Sequence, residues 1–137
     1  MASNFECSIL NIPGQTADAD FSAKQWYCAK FSTTDPQISV CDAAGEYVDG
    51  IIQNDPTASG DGVTLMIAGI SKAEAGGTVA RGDFWGTNAS GKVVKVESTN
   101  TGADIGEWAM GRVVSGGASG EVVTVTIGLG AHLVEAA

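Results

Sequence analysis

Basic residues are scarce in this chain. Seven Lys and Arg stand against 16 Asp and Glu in 137 residues, a formal net charge of −9. A nucleic-acid binder needs a basic face that displaces counterions from phosphates, so that partner class is not expected. Histidine is scarcer still. The single one, His132, sits in a C-terminal stretch (130–137) that reads as a tail, and a nucleophile has no other imidazole to serve as its base. Long apolar runs are missing too. The most apolar stretch, Val63 to Ile70, is eight residues long and broken by Thr64 and Gly69, far short of the ~20 that cross a bilayer, so no membrane partner is expected. Residues 1–7 offer neither a basic n-region nor an apolar h-region, so no secretory signal is expected. Asn88-Ala89-Ser90, formally a glycosylation sequon, then reads as an ordinary turn.

Glycine, in contrast, is abundant. Its 19 copies are about twice the usual ~7%, while charged residues at 17% fall below the usual ~25%. The composition points to many turns and few solvated helices. Apolar residues recur with period two between the glycines. Gly120 to Gly128 is the clearest strand, β-branched and alternating. Val63–Ala68, Lys92–Val96, Trp108–Val114 and Glu46–Ile52 read the same way. Asn54–Gly60 and Ser115–Gly120 are turn clusters between them. Only Asp20–Gln25 has the composition to open a short helix, and Ser71–Ala75 reads as a further turn. The predicted class is all-β: a small glycine-rich β-barrel or sandwich in one domain, the size expected of about 137 residues.

The chain also matches itself. Ala58-Ser59-Gly60 followed by Val63–Ile67 corresponds to Ala118-Ser119-Gly120 followed by Val123–Ile127. Gly14…Asp20-Phe21 corresponds to Gly77…Asp83-Phe84. The matches fall in order, which predicts two pseudo-repeated halves, about 14–70 and 77–129, sharing one β domain over 14–129. Acidity is uneven between the ends of the chain: residues 1–68 carry nine acids and two bases, residues 69–137 seven and five.

Motifs for chemistry are few. Gly86-Thr87-Asn88-Ala89-Ser90-Gly91-Lys92-Val93 fits G-x-x-x-x-G-K, but Val93 stands where a phosphate-binding loop needs Ser or Thr for magnesium. A β-branched strand also follows where that loop opens a helix. It reads as a hairpin turn, with Asn88 and Gly91 supplying the unusual backbone angles. The acidic residues of Asp18, Asp35, Asp42, Asp55 and Asp61 stand in turns, where Asp caps backbone groups. No EF-hand spacing is present. No enzyme, cofactor or metal is expected.

Three cysteines, Cys7, Cys28 and Cys41, lack the C-x-x-C spacing of a zinc knuckle. A hairpin of residues 26–32 and 37–41 around Thr33-Thr34-Asp35-Pro36 places Phe31 opposite Ile38, Ala29 opposite Val40 and Cys28 opposite Cys41. In that register the two thiols are either reduced neighbours, the default in a cytosolic protein, or a disulfide formed after release to an oxidising medium. The second case leaves Cys7 as an intermolecular thiol. Trp26, Trp85 and Trp108 are large anchors, suited to a core, or to an assembly surface where one is exposed. Residues 1–13, with Phe5, Ile9, Leu10 and Ile12 ahead of Pro13, form an extended apolar arm. It is either an ordinary first strand or a strand offered to another subunit by edge pairing.

Taken in order, several stretches resemble the capsid cement, or head decoration, proteins of tailed bacteriophages. They are Phe21-Ser22-Ala23-Lys24-Gln25-Trp26-Tyr27, Gly50-Ile51-Ile52-Gln53-Asn54-Asp55-Pro56, Gly69-Ile70-Ser71-Lys72, Gly82-Asp83, Asn88-Ala89-Ser90-Gly91-Lys92, Gly111-Arg112-Val113-Val114 and Gly120–Ile127. The resemblance spans roughly residues 14–129 and leaves out the cysteines and the arm. It implies a β-tulip-like fold and a structural protein of the virion, made in the host cytoplasm. Such a protein binds the outer surface of the mature capsid and bridges neighbouring major capsid protein subunits, often as a homotrimer, stabilising the shell. Phe5, Ile9 and Leu10 are the candidate contacts with that shell. A different class, a small β-barrel carrier or ligand-binding module, is suggested by Gly82–Val96, whose Lys92 would be the modifiable lysine. It is flanked by Gly91 and Val93, however, rather than by methionines.

Overall fold

The computed structural model describes residues 10–96, 107–128 and 130–133. Among them eleven strands follow one another and no helix forms: β1 (Leu10–Ala17), β2 (Cys28–Phe31), β3 (Gln37–Val40), β4 (Gly50–Ile52), β5 (Gly62–Glu74), β6 (Phe84–Thr87), β7 (Val93–Lys95), β8 (Glu107–Ala109), β9 (Gly111–Ser115), β10 (Val122–Ile127) and β11 (Ala131–Leu133). Nine of them make one sheet in the order β1-β3-β2-β4-β5-β10-β9-β6-β7, while β8 and β11 pair separately.

That sheet folds back on itself. β1 pairs with β3 and also, antiparallel, with β5, so β1, β3, β2, β4 and β5 close into a ring. At its midpoint β5 changes partner. Ala68 faces Leu10 of β1, whereas residues from Gly69 (opposite Ile127) to Glu74 (opposite Val122) pair with β10. Gly69 has φ 124°, a backbone state open to glycine and costly for any side chain. The second half of β5 then forms the wall of another ring with β10, β9, β6 and β7. This ring closes through a single parallel bridge between Ala75 and Val93, where the Gly76 N–H donates to the Val93 carbonyl at 2.7 Å.

Period-two alternation sorts the strands of the first ring onto two cores. Ile52, Ala29 and Leu65 join a core supplied by all five strands of the first ring and by the turns before β2: Ala17, Phe21, Tyr27, Ala29, Ile38, Ile52, Val63 and Leu65. Their chain neighbours Ile51, Cys28 and Met66 belong to a larger core with Trp85, Val93, Val113, Val123, Val125 and Ile127 of the second ring. Trp85 is completely buried there, and its indole N–H donates to the Thr126 carbonyl at 2.8 Å, which satisfies its one polar atom.

The all-β class is as the sequence predicts, and so is the hairpin register: Phe31 pairs with Ile38 and Ala29 with Val40. Other expectations need correction. No helix forms at Asp20–Gln25. Two successive turns stand there instead, closed by Lys24 N–H to Phe21 O at 2.9 Å and Tyr27 N–H to Lys24 O at 3.1 Å. Ser71–Ala75 is not a turn but the continuation of β5, because β10 pairs with it residue for residue. Trp108–Val114 is split at Met110, whose N–H leaves for the Trp85 carbonyl. Of Glu46–Ile52 only the last three residues form a strand. The Glu46 carboxylate accepts the N–H groups of Asp42 and Ala43, which holds the preceding chain in a turn.

Candidate functional site

Of the candidate shell contacts, Phe5 and Ile9 lie outside the described residues, as does Cys7. Leu10 opens β1 and is 55% exposed while its backbone pairs with Ala68, so the chain from residue 10 onward is an ordinary strand of the first ring. That strand runs through Pro13 with shifts of register around Leu10 and between Ile12 and Gln15. Among the described residues the other large exposed apolar side chains are Phe31, Phe84 and Val122. Phe31 flanks a shallow depression lined by Ile12, Gln15 and Pro36. Phe84 is covered by the Arg112 guanidinium at 5.5 Å, which is itself fixed by donating to the Gly82 carbonyl.

Cys28 and Cys41 meet at the end of the β2–β3 ladder, where the Cys41 N–H donates to the Cys28 carbonyl at 2.9 Å. Both are buried free thiols. Burial pushes the Cys28 thiol up to about 12, against a smaller opposing effect of its hydrogen bond with Thr87. Burial, with Cys28 beside it, pushes Cys41 up as well. Neither is a thiolate near neutral pH, so neither is armed as a nucleophile or metal ligand.

The G-x-x-x-x-G-K stretch is the β6–β7 hairpin, as its sequence context predicts. Gly91 has φ 77° and lies so close to Val40 that a Cβ would come within 2.6 Å of its side chain. Asn88 works differently from expectation. Its backbone is ordinary, and its side-chain oxygen accepts the N–H groups of Ser90 and Lys92, wrapping the turn around the amide. Lys92 stands between buried Gly91 and Val93 with its ammonium 5.9 Å from the Tyr27 ring, which is not the free lysine of a carrier hairpin.

A grouping of aromatic and basic side chains lies at the seam between the rings. Trp26 has φ 72°, rare for a non-glycine residue. It is pinned by its N–H to the Ile52 carbonyl at 2.7 Å and by its own carbonyl, which accepts the Glu74 N–H at 3.0 Å. Lys72 of β5 lies 5.7 Å from the Trp26 ring, and Lys24 lies 4.7 Å from the ring of Tyr27. Burial, then a hydrogen bond with Glu74, pushes the Tyr27 phenol up to about 12. Three of the seven basic residues therefore gather on two neighbouring aromatic rings. Sequence reading missed this group, since Lys24-Gln25-Trp26-Tyr27 is contiguous but Lys72 and Lys92 arrive only through the topology. Trp108, half-buried, meets Tyr47 edge-on at 4.9 Å, while Trp85 is core.

No family model matches the chain, and no curated protein matches it. Among solved structures, the fold is similar to the N base of the head fiber gp8.5 of bacteriophage phi29. The TM-score is 0.55 and the identity 19%, over 87% of this chain and 93% of that one. At that identity the likeness establishes a shared fold over nearly the whole of both chains. The sequence resemblance pointed to cement proteins, whereas this neighbour is named as a head fiber.

Proposed function

We propose that this protein is a non-enzymatic structural component of a phage virion. In this reading it binds the outer surface of the assembled shell and bridges neighbouring major capsid subunits as a homotrimer. The observation that carries the reading is the fold shared, over 87% of this chain, with the base of a phage head fiber. It is joined by the sequence resemblance to capsid cement proteins over residues 14–129. The architecture is suited to such a role. A partner that binds only the assembled shell stabilises it by mass action, and many copies on a lattice multiply a modest contact. The arm supplies the contact in this reading, through Phe5, Ile9 and the exposed Leu10.

The test is co-sedimentation of the purified protein with mature, undecorated shells, with unexpanded precursor shells as control. Saturable binding to mature shells alone is expected, and absence of binding to either kind of shell overturns the reading. Deleting residues 1–9, which leaves β1 intact, is expected to abolish binding while the rings stay folded. Undiminished binding of that truncation removes the arm from the contact.

A further inference from the structure

The seam carries more than its structural duty requires. Trp26 and Ala23, at φ 72° and 60°, occupy left-handed positions in two successive turns that glycine would fill without strain. An alanine there displays little, but a tryptophan places a half-buried indole at the surface beside Lys72. The remaining cations of the molecule are committed elsewhere. Lys30 bonds to Asp42 and Glu46, Lys95 lies 3.9 Å from Asp83, and Arg81 and Arg112 donate to the carbonyls of Val114 and Gly82. Among the described residues, Lys24, Lys72 and Lys92 form no ion pair. Their ammonium groups lie over aromatic rings, contacts that leave the N–H donors free. The neighbouring Glu74 carboxylate shares a hydrogen bond with the Tyr27 hydroxyl.

We propose that this Trp26–Tyr27 seam, with Lys24, Lys72 and Lys92, is a docking surface for a carboxylate-bearing segment of a partner protein. Resting on the reading above, that partner is the shell. Charge complementarity selects the occupant. A chain of net −9 repels an acidic partner over most of its surface and attracts it where free cations collect, which fixes orientation as well as contact. The indole beside the lysines is the residue type that anchors such interfaces. A nucleic acid fits poorly, because three lysines on an acidic body make no basic stripe along which phosphates could run.

Two variants test the seam in the same shell-binding experiment, run at increasing NaCl. Trp26→Gly removes the ring while relieving the backbone, and is expected to weaken binding on the order of thirtyfold. The triple variant K24Q/K72Q/K92Q keeps the indole. It is expected to weaken binding on the order of tenfold and to flatten its salt dependence. Lys72→Gln alone, at an exposed position, serves if either variant fails to fold, and is expected to lose about twofold with a shallower salt slope. Wild-type-like affinity and salt dependence in the folded variants overturn the seam while leaving shell binding intact. Failure of the wild type to bind shells overturns both the reading and the assignment of the partner. Displacement of bound protein by single-stranded DNA at low concentration overturns the protein partner in favour of a polyanion.

Discussion

The two rings share a strand but close by different means. In the first, every neighbour is joined by a ladder, β1 to β5 included, and the core is supplied by that ring's own strands and the turns between β1 and β2. In the second, the last gap is spanned among the described residues by the Ala75–Val93 bridge alone, and the core is completed by residues that include Cys28, Ile51 and Met66 from the outer face of the first. The first ring is therefore self-sufficient, whereas the second is folded against it. Local opening should begin in the second ring, where the fewest backbone hydrogen bonds hold the closure.

The strongest way to break this asymmetry is Trp85→Ala. It removes the largest fully buried side chain of the second core and is expected to cost about 3–5 kcal/mol in denaturant unfolding. Hydrogen exchange should show β6, β7, β9 and β10 losing protection before the first ring. Simultaneous loss everywhere would make the two rings one cooperative unit. A finer cut uses adjacent residues of β4. Ile51→Ala and Ile52→Ala are each expected to cost about 2–5 kcal/mol. Chemical-shift changes should spread through the second core for Ile51 and through the first for Ile52.

Gly69→Ala attacks the point where β5 passes from one ring to the other, and is expected to cost about 1–3 kcal/mol through its left-handed backbone. Alkali provides a comparable perturbation. The folded thiols of Cys28 and Cys41 and the phenol of Tyr27 are all raised above their ordinary values. Their contribution to stability is complete below about pH 9, where the unfolded thiols are still protonated, and is lost as pH climbs toward 12. Each group can contribute up to about 1.4 kcal/mol per pH unit in that window, and Cys28→Ala should make the slope shallower.

The smallest effect is expected in the first ring's surface network. Burial of Glu46 would raise its carboxyl, but the Ala43 and Asp42 N–H groups and Lys30 outweigh this and hold it below the ordinary 4.5. Its contribution is present above that value and disappears as pH falls through the lowered one. Glu46→Gln should remove that acid dependence at a cost of about 1 kcal/mol or less, measured by denaturant titration at several pH values.

What could be read from the sequence was local. β10, β7 and the β2–β3 register follow from alternation between turn signals, and the cysteine neighbours come with the register. The length of β5 did not. Gly-Ile-Ser-Lys is turn-like in isolation, yet β10 pairs along it, and the buried Ser71 hydroxyl is satisfied by Gln53 and the Lys72 carbonyl. Neither did the turns at Phe21–Tyr27, because Ala23 and Trp26 occupy left-handed positions where sequence rules expect glycine or asparagine. The Trp26–Tyr27 group shows the same limit on a larger scale, since Lys72 and Lys92 join it only once β5 and the β6–β7 hairpin are in place.

The shared strand has a mechanical consequence. Tension applied between the two rings loads the thirteen residues of β5, since that strand is a wall of both. The ladder bonds of its antiparallel partners lie across that direction. A pull along the chain therefore loads them together in shear instead of peeling them one by one. Anchored through one ring and tugged through the other, the molecule would behave as a strut, yielding late and all at once, with Gly69 as its most compliant point.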